Sequence, residues 1–264
     1  MRLLLIVLFV CAVLVISPAI GATATQPDAP GNRANDAARN RIIAPLIAAG
    51  INIDSNEAVI NALSNRNLLI VAGAIFLIAE RKEKLAIPEL RKLLGSEYDI
   101  IRFYACKALA ELGDKKRVWR ILCIGLLQSE ESIVSLRAAG LLAVYGDYQG
   151  WPIVLRGLQK ENTVFEASLV AAPFNGKTPP GEETPISVIG VTQEIFKQTN
   201  AEGQLALVTL YSKVAAEDDL PKLEALAAQT KSKGITDDIQ RIIDRLKKEA
   251  QDKEKAKAKE EEPK

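Results

Sequence analysis

Ile87-Pro88-Glu89-Leu90-Arg91-Lys92-Leu93-Leu94-Gly95-Ser96-Glu97 leads, through Tyr98, Asp99 and Ile100, into Ile101-Arg102-Phe103-Tyr104-Ala105-Cys106-Lys107-Ala108-Leu109-Ala110-Glu111-Leu112-Gly113-Asp114. Pro88 belongs in the first turn of a helix, where its missing N–H costs nothing. Ile101, Ala105, Ala108, Leu109 and Leu112 recur at helical spacing. Gly113 stands where a helix end calls for a left-handed residue, and Asp114 is placed to cap the next helix. The stretch therefore predicts two antiparallel helices.

The same unit recurs on both sides. Leu93-Leu94-Gly95-Ser96-Glu97 is matched by Leu126-Leu127-Gln128-Ser129-Glu130, and Ala105, Ala108, Leu109, Ala110, Gly113 and Asp114 by Ala138, Leu141, Leu142, Ala143, Gly146 and Asp147, every pair at one constant offset. Leu68, Ala72 and Ile75 stand one further step upstream, and a fourth copy, slightly shifted, runs from Trp151 to Ala172. Pro152 and Pro221 head segments like the one at Pro88, while Asp99, Ser132 and Thr163 occupy places where a side chain caps orphan N–H groups. A period of about 33 residues marks a repeat architecture.

The helix-initial Pro, the hydrophobic-Arg pair Ile101-Arg102, the Ala105-x-x-Ala108-Leu109 core and the Gly113-Asp114 end resemble the short HEAT-like repeat, also called phycobilin-lyase-type. The resemblance covers about half the chain. Ser135 stands where Arg102 would recur, and the fourth copy lacks the Gly-Asp end. It implies an all-α fold, an α-solenoid (α-α superhelix) of HEAT-like helix pairs: four pairs from about Asp54 to Ala172, with three or four further helices. Ankyrin repeats share the period but need a histidine that this chain lacks; tetratricopeptide repeats are a structural alternative.

Outside the repeats the chain divides further. Residues 1–24 read as a secretory signal peptide: Met1-Arg2, an apolar run from Leu3 to Ile16, Ser17-Pro18, then Ala22-Thr23-Ala24. The alternative is an uncleaved anchor, since Leu3 to Ala24 carries no charge and approaches the roughly 20 residues a spanning helix needs. Residues 25–34 read as a disordered linker, 35–172 as the repeat solenoid and 173–185 as a Pro/Gly-rich loop. Residues 186–250 read as a C-terminal helical region and 251–264 as a charged disordered tail. With 34 basic and 33 acidic residues, losing Arg2 with the leader leaves the mature chain neutral. Neutrality gives no bulk attraction to nucleic acid or to an anionic membrane.

The 264 residues include no histidine, so the commonest general base, transition-metal ligand and pH switch are all absent. No Gly-rich phosphate loop, nucleophile elbow or EF-hand ligand series appears. Asp218-Asp219 and Asp237-Asp238 stand before helical segments, where capping explains them, and Lys115-Lys116-Arg117 reads as a solvated turn. No catalytic, cofactor-binding or metal residues are therefore assigned, and no cofactor is expected. The expected role is a non-enzymatic protein-protein interaction scaffold, periplasmic or secreted, with a protein partner and no membrane insertion beyond the leader. The alternative is a cofactor-handling or lyase-like enzyme sharing the repeat. No Asn-x-Ser/Thr sequon occurs, which leans toward a bacterial periplasm.

Two features carry site expectations. Steps of one repeat align Ile70, Phe103 and Leu136 along the outer stripe of the second helices, and residues 68–79 are apolar throughout. Such a stripe needs a cover, either Ile186, Val188, Ile189, Val191, Ile195 and Phe196 folding back over it, or a partner's helix. Cys106 and Cys123 lie equally far either side of the turn, which allows a disulfide if their Cβ atoms face each other, or two separate buried thiols.

Overall fold

The computed structural model describes residues 30–115 and 118–260; the expected signal peptide and the first half of the expected linker lie outside them. The described residues are all-helical and without strands. Among them, thirteen α-helices run in order. They are α1 (Pro30–Ala48), α2 (Asn56–Asn61), α3 (Leu68–Glu80), α4 (Ile87–Leu93), α5 (Asp99–Glu111), α6 (Val118–Gly125), α7 (Ser132–Val144), α8 (Trp151–Leu158), α9 (Val164–Ala171), α10 (Val188–Gln198), α11 (Ala201–Val214), α12 (Leu220–Gln229) and α13 (Lys233–Glu260). No described helix is long and apolar enough to cross a membrane.

The chain falls into two compact units, divided between Ser129 and Glu130. The division falls inside the expected array at 35–172. In the first unit α3 packs on α1 and α5, with α2 against α3 and with α4 and α6 against α5. In the second unit α9 packs on α7 and α11, and α11 in turn on α13; α8 lies against both α7 and α9, while α12 lies against α10 and α13. Within each unit, then, every second helix forms a row.

Helix ends follow the local sequence. Ser55, Asn67, Ser187 and Asn200 accept backbone N–H groups at the starts of α2, α3, α10 and α11. Pro88, Pro152 and Pro221 sit in the first turns of α4, α8 and α12 as expected. The three caps expected at Asp99, Ser132 and Thr163 do not form. Asp99 and Ser132 are already inside their helices. Asp99 instead pairs with Arg102 and accepts the Ser129 hydroxyl at 2.5 Å, and the Thr163 hydroxyl donates to the Gly157 carbonyl at 2.9 Å.

Gly113 and Gly146 adopt the left-handed conformation expected of them, with φ of 69° and 84°. Asp114 N–H reaches back to the Leu109 carbonyl and Asp147 N–H to Leu142, both at 2.9 Å. Two further helices end the same way without a Gly-Asp pair. Gly50 (φ 72°) closes α1 with Ile51 N–H on the Leu46 carbonyl, and Lys82 (φ 56°) closes α3 with Glu83 N–H on Ile78. Helix α1 begins at Pro30, inside the expected linker. The fourth unit ends differently: a 3-10 turn at Ala172–Phe174 is followed by extended Asn175, and the left-handed Gly176 (φ 70°) lies past it in the 173–185 segment.

Beyond it the 173–185 segment is clipped at its base. Gly176 N–H donates to the Ile186 carbonyl, and Ile186 N–H to Lys177, each at 2.8 Å. The Asn175 side chain accepts from Val188 N–H at 3.0 Å and donates to the Val214 carbonyl at 3.2 Å. At the other end of the unit, α13 stays helical through residues 251–260, where the sequence leaves a fraying charged helix or disorder open. Closely spaced Lys and Glu on an exposed helix stabilise it by a few tenths of a kcal/mol per pair.

Candidate functional site

The three residues of the expected partner-binding stripe are core. Ile70, Phe103 and Leu136 are 6%, 4% and 2% exposed. The cover over α3 is α1, which places Ile42, Ile43 and Leu46 in the core; a Cβ on Gly73 would lie 2.2 Å from Leu46 Cδ1 and 2.9 Å from the Ile42 carbonyl oxygen. Leu136 packs against Gly157 of α8. The expectation that residues 186–196 supply the cover gives way accordingly. Ile186, Val188, Ile189 and Phe196 are buried, but α10 packs on α11 and α12, Val191 is exposed and Ile195 only half-buried. Periodicity marks a stripe that needs cover but does not say which helix supplies it.

Cys106 of α5 and Cys123 of α6 are both fully buried thiols, and no disulfide joins them. Burial pushes the Cys106 thiol up to about 12, outweighing the opposing pull of Arg102. A thiol held neutral in this way is a poor nucleophile and a poor metal ligand.

The other titratable clusters are taken up structurally. Asp219, at the start of α12, accepts Ala216 N–H at 3.2 Å and pairs with Lys222 at 2.9 Å. Asp237 and Asp238 lie inside α13 rather than before it, and Asp238 pairs with Arg241 at 2.8 Å. Asp114, nearly fully buried, pairs with Arg91 of α4 and ties the first helix of its repeat to the end of the second. The buried Tyr211 hydroxyl lies 2.9 Å from that of Thr192, pinning α11 to α10, and burial raises the phenol well above its ordinary range. Lys116 and Arg117 of the basic triplet lie outside the described residues. Among the described residues, no three His, Cys, Asp or Glu side chains are grouped to hold a metal ion.

An open concavity lies between α11 and α13, a groove of about 380 Å³. Val208 and Ile242 form its apolar floor together with Leu205, which is 49% exposed. Arg241, Arg245 and Asp238 line one side. Arg245 donates from Nη1 to the Ser212 carbonyl at 2.9 Å, closing off α11, and meets Glu249 only at 3.7 Å. Thr209 and Ser212 line the other side, but both hydroxyls donate into their own helix, to Leu205 and Thr209 carbonyls at 2.9 and 2.8 Å. With those hydroxyls engaged and no imidazole in the chain to activate them, the groove lacks an activated nucleophile. The groove thus sets an apolar floor beside Arg241, paired with Asp238 at 2.8 Å, and Arg245, on successive turns of one helix. No sequence signal points to this groove, because Leu205, Ile242 and Arg245 come from helices with no repeat register in common.

The chain matches no family model, and no curated protein matches it.

Proposed function

We propose that this chain is a non-enzymatic protein-protein interaction scaffold, an α-solenoid of HEAT-like helix pairs working in the periplasm or outside the cell. The observation that carries this reading is the row of alternate helices in each unit, α1–α3–α5 and α7–α9–α11–α13, in a chain whose sequence repeats at a step of about 33 residues through its middle third. Stacked helix pairs of this kind present long surfaces between successive helices, and proteins use such surfaces to bind other proteins. The α11–α13 groove offers such a surface: a hydrophobic floor for an apolar anchor and two arginines for a partner's carboxylates.

The test uses the chain as bait against envelope and secreted proteins, beside a Leu205→Asp/Arg241→Glu variant of unchanged circular dichroism. A partner held by the parent chain and lost by the folded variant supports the reading. Equal capture by both removes the groove from it, and capture of nothing above background by either removes the scaffold role.

A further inference from the structure

One edge of the first unit carries exposed side chains of two kinds. α3 and α5 pack side by side and the chain returns between them through α4, so the turns leaving α3 and α5 share that edge. The Arg91–Asp114 pair holds α4 to the end of α5 there. The first turn presents Lys82, Lys84 and Leu85; the second presents Lys115, Val118 and, one helical turn on, Ile121. Lys82 matches Lys115, and Leu85 matches Val118, at the repeat offset. At 79% and 73%, Leu85 and Ile121 are the most exposed large apolar side chains among the described residues.

The lysines on this edge are free charges. Lys82, Lys84 and Lys115 are exposed and form no ion pair among the described residues. The carboxylates near them are engaged: Glu80 with Arg39, Glu83 with Asn56 and the Leu85 N–H, and Asp114 with Arg91. Lys82 also has the one positive φ outside glycine among the described residues, at the position where Gly113 closes the next repeat. A residue kept against its backbone preference points to a use for its side chain. The near-neutral chain is moreover asymmetric: through Ser129 basic residues outnumber acidic ones by five, and from Glu130 onward acidic ones outnumber basic by four. An anionic surface is therefore attracted to the first unit and repelled by the second.

We propose that this edge is a peripheral docking surface for an anionic lipid bilayer, with Lys82, Lys84 and Lys115 on headgroup phosphates and Leu85, Val118 and Ile121 seated between the headgroups. A fluid interface accepts isolated aliphatic tips without a complementary pocket, while lysine stems lie along it and their ammonium groups stay wet. A protein partner would need a separate cavity for each tip. A few lysines and three aliphatic tips give reversible binding that weakens with salt. The inference stands or falls without the α11–α13 groove.

The test uses the full chain carrying Leu85→Trp as a reporter, with vesicles of brominated lipid that quench an indole at contact range. Trp119 and Trp151 are buried and supply a constant background. Brominated phosphatidylglycerol vesicles should quench the reporter and brominated phosphatidylcholine vesicles should not, and a Phe165→Trp chain, whose reporter lies on the second unit, should stay unquenched by both. Adding Lys82→Glu/Lys84→Glu/Lys115→Glu to Leu85→Trp should weaken partitioning at least about a hundredfold. The milder Lys84→Gln/Lys115→Gln pair, which leaves the left-handed turn intact, should weaken it about tenfold. No quenching of the Leu85→Trp chain overturns the proposal, as does equal quenching by the two lipids or quenching that survives in folded lysine variants. Equal quenching of the two reporters also overturns it, since the apolar N-terminal run alone would then account for binding. Soluble polyglutamate bound by a chain that vesicles leave unquenched overturns it in favour of an acidic protein partner.

Discussion

α3 and α13 are both members of the helix rows, and they are held in opposite ways. α3 buries eight of its thirteen residues, including consecutive positions from Ile70 to Ile75, because α1, α2 and α5 close around it. α13 buries Ile235, Ile239, Ile242, Ile243 and Leu246, one stripe at helical spacing, against α11 and α12, and from Lys247 to Ala256 nothing is fully buried. The difference teaches that the angular width of a helix's apolar face reports how many neighbours it has. A helix apolar all round is surrounded, whereas one with a narrow stripe has an open side where a groove can form.

The comparison breaks most severely at α3. Ile78→Asp places an unpaired carboxylate at a site 1% exposed, at a cost of at least about 3 kcal/mol, and should abolish the cooperative thermal transition of the first unit followed by circular dichroism. A normal melt for this variant means that α3 is not enclosed. Cys106 and Cys123 sharpen the same point. Both should react with a thiol reagent at least a thousandfold more slowly in the native chain than in denaturant, an opening free energy of about 4 kcal/mol. In denaturant without reductant this pair should then contribute two thiols beside that of Cys11, whereas reaction at Cys11 alone would reveal a disulfide. The Cys106 thiol adds a pH dependence. Unfolded it ionises near 9.0, and folded only near 12, so the stability carried by its neutral form is intact below pH 9 and is lost as pH rises toward 12. A melting temperature flat across that window would contradict the burial.

Smaller effects test the helix contacts and ends. Gly73→Ala forces Leu46 and the α1 backbone away, which should cost about 1–3 kcal/mol in a denaturant titration. No loss would show that α1 does not cross α3 at this point. Lys82 holds a left-handed conformation where Gly113 and Gly146 close later repeats, so Lys82→Gly should stabilise the chain by about 1 kcal/mol. A destabilised variant would show that the Lys82 side chain contributes more than its backbone conformation costs. Deleting residues 251–264 should change stability by no more than about 0.5 kcal/mol, because no described residue there is buried. A larger loss would mean that the α13 extension packs on something.

The repeat period, the helix-initial prolines and the glycines at 113 and 146 are legible in the sequence because each is a local signal with a local cause: ring geometry, side-chain spacing, or backbone freedom. The start of α1 reads as linker, since Pro27, Pro30 and Gly31 are breakers in isolation, and Pro30 at a helix start is favourable only once a helix continues from it. The caps expected at Asp99, Ser132 and Thr163 are displaced by a residue or taken by other partners, because a capping side chain competes with every partner the fold brings near, and Ser129 and Gly157 are near.

By itself the sequence determined that this is a helical chain with apolar stripes at helical spacing and helix ends marked by Pro and Gly, because helix period, turn residues and composition act within a few residues of one another. Tertiary structure alone decided what covers that stripe. Apolar side chains carry no address, and burial rewards any neighbour of the right shape. That neighbour is α1 for α3, admitted by the missing side chain of Gly73, while α10 spends its own apolar face on α11 and α12 and the side left open between α11 and α13 becomes the groove.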